Sequence, residues 1–164
     1  MQEKIYQVLF LCTGNSARSI LAEGLMNHVS GGRFQAYSAG SHPAGAVNRL
    51  ALQTLQSLHI PIDGFRSKSW DEFAAEGSPE LDFVFTVCDN AAGEVCPHWP
   101  GQPVTAHWGV QDPSGLEGDE TIKLRAFMDT AVTLKRRIEL MLALPLQSLD
   151  RMALQRELQA LGKA

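Results

Sequence analysis

A cysteine and an arginine enclose a short polar loop near the start of the chain. Cys12 directly follows an apolar run, and Arg18 ends the stretch C-T-G-N-S-A-R, after which a helical pattern begins. A loop between a strand and a helix can direct several backbone N–H groups at one anion. A guanidinium can bind two oxygens of a tetrahedral oxyanion. The same positive surroundings are expected to lower the pKa of Cys12 and favour its nucleophilic thiolate form.

This loop is therefore predicted to bind an oxyanion and to hold a sulfur atom next to its central atom. A C-x5-R spacing also recurs by chance, and a buried cysteine near an unrelated arginine is the alternative. The position between a strand and a helix favours the functional interpretation. The residues predicted to bind the oxyanion are Thr13, Gly14, Asn15, Ser16, Ala17, Arg18 and Ser19.

Asp112 is the candidate general acid. It precedes Pro113 in a glycine-containing loop, and the proline ring restricts the neighbouring backbone. When a thiolate displaces an oxygen from a tetrahedral oxyanion, a protonated carboxyl can donate the proton with which that oxygen leaves. The alternative is an ordinary Asp-Pro turn.

Cys88 and Cys96 are the two remaining cysteines, separated by the stretch D-N-A-A-G-E-V. A pair of thiols can supply two electrons by forming a disulfide. A helix would hold the two sulfurs about two turns apart, too far for a disulfide. The glycine and polar residues between them therefore predict that segment 88–99 is mobile. Two alternatives are buried apolar cysteines and a zinc site with His98 or His107, although the spacing differs from the usual short zinc-binding pairs.

Four short apolar runs are typical of strands: 7–11, 34–38, 83–87 and 104–107. Helical patterns alternate with them, which predicts an α/β fold with a doubly wound, four-stranded parallel sheet flanked by helices. The clearest helical stripe consists of Leu124, Phe127, Ala131, Leu134, Ile138 and Met141. Such sheets bind ligands at the carboxyl ends of their strands. Cys12, Cys88 and Asp112 each follow a predicted strand, so we expect them at one edge of the sheet.

The 164 residues suit one domain, with a net charge of −4 and no run of Lys or Arg. These values argue against nucleic acid and anionic lipid as main partners. The short apolar run at the N-terminus predicts neither export nor a membrane segment, so the cytoplasm is the expected compartment. Residues 1–145 are predicted to form the catalytic domain. Residues 146–164 are expected to add a C-terminal helix that Ser148 caps and Gly162 ends, packed on its own domain rather than on a second chain.

Several stretches resemble one known family. "CTGNSARS", "YSAGSHPAG", "CDNAAGEVCPHWPG" and "HWGVQDPSG" are similar to segments of the low-molecular-weight protein tyrosine phosphatase fold, and more closely to the arsenate reductases built on it. The likeness runs over roughly residues 5–145 and implies the same four-stranded fold with Asp112 as general acid. It implies that arsenate is the substrate and that phosphate or sulfate can occupy the same site.

The resemblance also implies a relay of three cysteines. Cys12 forms a covalent adduct with arsenate, Cys88 attacks the sulfur of Cys12, and arsenite leaves. Cys96 then attacks Cys88, and thioredoxin or glutaredoxin reduces the resulting disulfide. No cofactor and no metal are expected in this scheme.

Some members of the family hold a cation beside the loop with an asparagine, a glutamate, a serine and an aspartate. Asn15, Glu23 and Ser38 resemble the first three, while Lys68 stands where the aspartate is expected. We expect the Lys68 ammonium to replace the cation and to pair with Glu23.

Two other functions remain open from the sequence. A low-molecular-weight phosphatase acting on phosphotyrosine or small phosphoesters would use the same loop and acid. Such phosphatases often carry aromatic residues after the Asp-Pro pair, whereas Ser114 and Gly115 follow here. A non-enzymatic oxyanion-binding or redox-sensing module is less favoured, because the nucleophile, arginine and acid are all present.

Overall fold

The structure is a computed structural model that describes residues 4–88, 99, 102–115 and 117–164. Within these ranges the chain forms four strands, five α-helices and a short 3-10 turn at Pro113–Gly115. The strands are β1 (Tyr6–Leu11), β2 (Phe34–Ala39), β3 (Phe83–Thr86) and β4 (Val104–His107). The helices are α1 (Arg18–Val29), α2 (Arg49–Ser57), α3 (Asp71–Ala74), α4 (Glu120–Leu142) and α5 (Arg151–Leu161).

The four strands form one parallel sheet in the order β2-β1-β3-β4. This confirms the predicted α/β fold and places each strand within a residue of its predicted bounds. In a parallel sheet the carboxyl ends of all strands share one edge. Cys12 follows β1 at that edge, Cys88 follows β3, and Asp112 follows β4.

The main hydrophobic core lies between one face of the sheet and helices α1, α2 and α4. Phe10 and Phe85 stack at 5.6 Å between ring centroids, and Trp108 stacks on Phe85 at 4.0 Å. The predicted stripe on α4 supplies five fully buried side chains to this core: Phe127, Ala131, Leu134, Ile138 and Met141. A smaller cluster on the opposite face contains Leu9, Leu11 and Val84, covered by Phe73 and Leu81. The sheet is thus buried on both faces, as its nearly continuous apolar strands indicate.

The C-terminal helix α5 packs against β4 of its own domain, as predicted. Leu158 is fully buried, and its carbonyl oxygen accepts a 2.8 Å hydrogen bond from the indole nitrogen of Trp108. The prediction that Ser148 caps this helix is wrong. The Asp150 carboxylate is the cap and accepts from the Ala153 N–H at 2.8 Å. Ser148 lies two residues earlier, in a turn where its N–H donates to the Pro145 carbonyl oxygen. Gly162 ends the helix as expected.

In the parts of the chain that the structure describes, no helix combines the length and the apolar character needed to cross a bilayer.

Candidate active site

The loop from Cys12 to Arg18 is held from outside by a second loop that follows β2. The carbonyl oxygens of Thr13 and Gly14 accept hydrogen bonds from the N–H groups of His42 and Ala44, at 2.9 and 2.8 Å. Ser16 is bound in the same way by the N–H of Asn48. The outer loop therefore holds these carbonyls away from the Cys12 sulfur. The Gly14 N–H is hydrogen-bonded to the sulfur of Cys12.

Asn15 turns the loop at a backbone conformation that few residues adopt. Its φ of 45° lies in the left-handed region, which asparagine tolerates better than most side chains. The side chain is fully buried and bonded at both ends. Its amide nitrogen donates to the Ser19 hydroxyl at 2.9 Å, and its oxygen accepts from the Lys68 N–H at 2.9 Å. Asn15 therefore braces the loop, as well as belonging to the predicted oxyanion site.

Gly40 is a site residue to which the sequence analysis assigned no role. A Cβ atom at this position would lie 2.4 Å from the Thr13 carbonyl oxygen and 2.6 Å from that of Cys12. Only glycine fits without displacing the start of the loop. The signals available in the sequence were its place just after the second predicted strand and within the stretch YSAGSHPAG.

Cys12 and Cys88 are brought together at the carboxyl ends of β1 and β3. Both are buried thiols, 6% and 2% exposed, and their side chains are hydrogen-bonded to each other. The Thr13 N–H also points at the Cys88 sulfur, 3.4 Å away. The second thiol therefore lies directly beside the predicted nucleophile.

The prediction that this environment lowers the pKa of Cys12 is wrong for this structure. The hydrogen bond with Cys88 and then burial raise the pKa, and they outweigh the lowering effects of Arg18 and the Gly14 N–H. Two adjacent thiols cannot both ionise easily, since like charges would then share one buried site. The guanidinium lies near Cys12 in the sequence, whereas this neighbouring thiol lies 76 positions further along the chain.

Arg18 and Asp112 also meet at this edge. The Arg18 guanidinium donates to the Val110 carbonyl oxygen at 3.0 Å, and a second nitrogen lies 3.8 Å from a carboxylate oxygen of Asp112. The other Asp112 oxygen accepts from the N–H and hydroxyl of Ser114, at 2.9 and 2.6 Å. The Asp112 side chain is 46% exposed, so it can exchange protons with water.

Lys68 and Glu23 form a mostly buried pair behind the loop. The Lys68 ammonium lies 3.9 Å from the Glu23 carboxylate and donates to the Arg66 carbonyl oxygen at 3.0 Å. The Ser38 hydroxyl donates to the same Glu23 oxygen at 2.6 Å. Burial raises the pKa of Glu23 and lowers that of Lys68, while each charge acts against the shift of the other. The expected pairing of Lys68 with Glu23 is present.

Two of the predicted groups lie outside the described residues: Cys96 and His98, with nearly all of segment 88–99. His107, the other candidate zinc ligand, has its ring Nδ1 at 2.7 Å from the Thr86 hydroxyl. Among the residues that the structure describes, no three His, Cys, Asp or Glu side chains are grouped so as to hold a metal ion.

The fold and this arrangement agree with one family. The family model for low molecular weight phosphotyrosine protein phosphatases matches residues 7–159, and the chain belongs to this family. An arsenate reductase of Halalkalibacterium halodurans is 35% identical over 139 residues, which cover 85% of this chain and 95% of the relative.

Two solved structures extend the comparison. One is described as an arsenate reductase in the phosphate binding state. It is 26% identical with a TM-score of 0.69, and the match covers 85% of this chain and 98% of that one. The other is a thioredoxin-dependent arsenate reductase of Corynebacterium glutamicum, 29% identical with a TM-score of 0.57, covering 85% and 65% of the two chains.

Proposed function

We propose that the protein is a cytoplasmic arsenate reductase that uses Cys12, Cys88 and Cys96 in sequence, with thioredoxin or glutaredoxin as the external reductant. The observation that carries this proposal is the hydrogen-bonded pair of buried thiols, Cys12 and Cys88. A phosphatase needs one nucleophilic thiol, whereas a reductase needs a second thiol within reach of the first. The named relatives with this fold support arsenate as the substrate and thioredoxin as one reductant.

In the first step the sulfur of Cys12 attacks the arsenic atom of arsenate. A sulfur–arsenic bond forms and an arsenic–oxygen bond breaks. The leaving oxygen carries the proton already on arsenate, and Asp112 relays to it the proton that the Cys12 thiol gives up, so that it departs as water. Arg18 and the loop amides bind the remaining oxygens, where negative charge collects. Arg18 then exchanges its 3.8 Å contact with Asp112 for the substrate.

In the second step the Cys88 thiolate attacks the sulfur of Cys12. A disulfide forms, the sulfur–arsenic bond breaks, and its electron pair stays on arsenic, which is reduced from As(V) to As(III) and leaves as arsenite. Cys96 next attacks Cys88 and releases the Cys12 thiolate. An external dithiol reduces the Cys88–Cys96 disulfide by exchange. Burial of the first two sulfurs keeps water away from the adduct, which favours attack by Cys88 over hydrolysis.

The stoichiometry of arsenite tests this order. Without external reductant, the wild type is expected to release about one arsenite per chain and to stop. Cys96→Ser is expected to release the same amount and to retain a Cys12–Cys88 disulfide, detectable by mass spectrometry. Cys88→Ser should release none, although it should keep any hydrolysis of aryl phosphates. If Cys88→Ser reduced arsenate as fast as the wild type with a thioredoxin system, the relay would be wrong.

A phosphatase acting on phosphotyrosine or small phosphoesters is the second candidate, because the family itself is named for that activity. The same three proteins, together with Cys12→Ser, separate the two functions. A phosphatase would hydrolyse aryl phosphates with full activity in both serine variants, would release no arsenite and would lose activity only in Cys12→Ser.

A further inference from the structure

Arg137 carries a buried guanidinium that the proposed mechanism does not use. It lies on α4 and is 6% exposed. One terminal nitrogen donates to the carbonyl oxygens of Trp108 and Gly109, at 2.9 and 3.2 Å, and its Nε donates to a backbone oxygen of Ala164 at 3.3 Å. All three of these partners are backbone oxygens. Burial lowers the pKa of Arg137, with Arg136 adding to the effect, so the hydrogen bonds must offset a real cost of desolvation.

The carbonyls that Arg137 holds begin the segment that leads to Asp112. The next carbonyl along the chain, that of Val110, is the one bound by Arg18. Two guanidiniums, from α1 and α4, therefore hold three consecutive carbonyls of this segment. Its N–H groups are bound on the side of β3: Trp108 donates to Thr86 at 2.7 Å.

A cavity of about 670 Å³ lies between residues 109–113 and the α4 side chains Asp129, Thr130 and Thr133, with Arg137 at its wall. Side chains therefore do not fill the space between this part of the segment and α4. The hydrogen bonds from Arg18 and Arg137 add to the packing of Trp108 and Val110 on the core in placing the segment.

Helix α5 completes this support. A Cβ atom on Gly162 would lie 2.2 Å from the His107 carbonyl oxygen, so the end of α5 approaches β4 more closely than another residue would allow. The His107 N–H donates to the Gln159 side chain at 3.0 Å. This close approach places the Ala164 backbone oxygen on Arg137 and connects the C-terminal helix to the segment that carries Asp112.

We propose that Arg137 is a positioning residue for Asp112: it ties residues 108–109 to α4 and α5 and so places the carboxyl beside the oxyanion loop. The proposal rests on the proposed function in taking Asp112 as the general acid. Arg137 touches neither the substrate nor the reacting sulfurs, and its effect passes through the backbone of residues 108–112.

A double-mutant cycle tests this route. Arsenate-driven loss of protein thiols is measured in a single turnover, without external reductant, for wild type, Arg137→Met, Asp112→Asn and the double variant. General acid catalysis contributes about 10²–10⁴-fold, so Arg137→Met is expected to slow the step by about 10-fold or more while arsenate affinity stays within about 3-fold. In the Asp112→Asn background the same change is expected to cost less than about 2-fold. Equal losses in both backgrounds would overturn the proposal.

Two further variants distinguish a positioning role of Arg137 from a general effect on the stability of the fold. Met141→Ala removes a fully buried side chain from the same helix and lowers stability without touching the carbonyls of residues 108–110. Its rate should stay near that of the wild type below its melting temperature. Arg137→Lys keeps the charge but replaces the planar guanidinium by a single nitrogen, and should recover part of the lost rate without restoring all the hydrogen bonds.

Amide hydrogen exchange tests the positioning role of Arg137 without an activity assay. Amides of residues 109–112 are expected to exchange at least about 10-fold faster in Arg137→Met than in Met141→Ala, compared at equal distance below each melting temperature. Equal exchange in the two variants would overturn the positioning role. If the wild type lost no thiols with arsenate, the proposed function would fail, and this measurement would still decide the role of Arg137.

Discussion

Replacing Gly40 with alanine adds a single methyl group and is expected to displace the oxyanion-binding loop. The added methyl carbon would lie 2.4 Å from the Thr13 carbonyl oxygen, whereas ordinary contact begins at 3.4 Å. One of the two backbones must therefore move by about 1 Å, a misplacement that can cost about 10²-fold in rate. The Gly40 backbone is held on its far side, since its N–H donates to Lys68 at 3.0 Å and its oxygen accepts from Trp70 at 2.9 Å. Most of the displacement should therefore fall on the oxyanion loop.

The assay is arsenate reduction with a thioredoxin system, together with unfolding by urea. For Gly40→Ala we expect kcat/KM to fall by about 10²-fold, equivalent to about 2.7 kcal/mol in the barrier. The free energy of unfolding should fall by about 1–3 kcal/mol, as for other overpacked sites. Ser41→Ala is the matched control, because Ser41 is the next residue and its hydroxyl bonds only the adjacent His42 ring among the described contacts. A folded Gly40→Ala protein within about threefold of wild-type activity would refute the reasoning.

Three further predictions concern the buried charges and thiols. Cys88→Ala removes the hydrogen bond that is the largest cause of the raised pKa of Cys12. The pH midpoint for alkylation of Cys12 by iodoacetamide should therefore fall. A midpoint that stays or rises would contradict the contact between Cys12 and Cys88. We expect the Lys68 ammonium to replace the cation that some relatives bind, so wild-type rates should be equal in potassium and sodium salts; strong potassium activation would argue against this role. Lys68→Met should cost about 3 kcal/mol in urea unfolding by leaving Glu23 without its buried counter-charge. Burial raises the pKa of Glu23 above 4.5, so the folded state binds more protons than the unfolded one and stability should fall as pH rises from 4.5 through the raised value. Urea titrations across that window should show this fall in the wild type and not in Glu23→Gln, and an identical pH dependence in both would exclude Glu23 as its source.

The local sequence pattern was sufficient to predict the strands and the loop at the centre of the site. Apolar runs of four or five residues predicted the four strands of the described chain, because buried parallel strands leave a signal within a few neighbouring positions. The loop from Cys12 to Arg18 was recognisable for the same reason: its thiol, glycine and guanidinium lie within one short stretch. The capping of α5 was predicted incorrectly, since Ser148 and Asp150 are both good caps and the last turn before the helix decides between them.

The sequence by itself determined which groups could carry out the chemistry and at which edge of a parallel sheet they would gather. Only the tertiary structure decided how those groups affect one another. Cys88 reaches Cys12 from the neighbouring strand and reverses the expected direction of its pKa; Gly40 allows the loop to approach the end of β2; and Arg137 holds the backbone that leads to Asp112. Each of these contacts joins positions far apart in the chain, where a side chain meets a backbone or a second thiol. The spacing of residues along a sequence does not specify such contacts, because they depend on how whole elements pack.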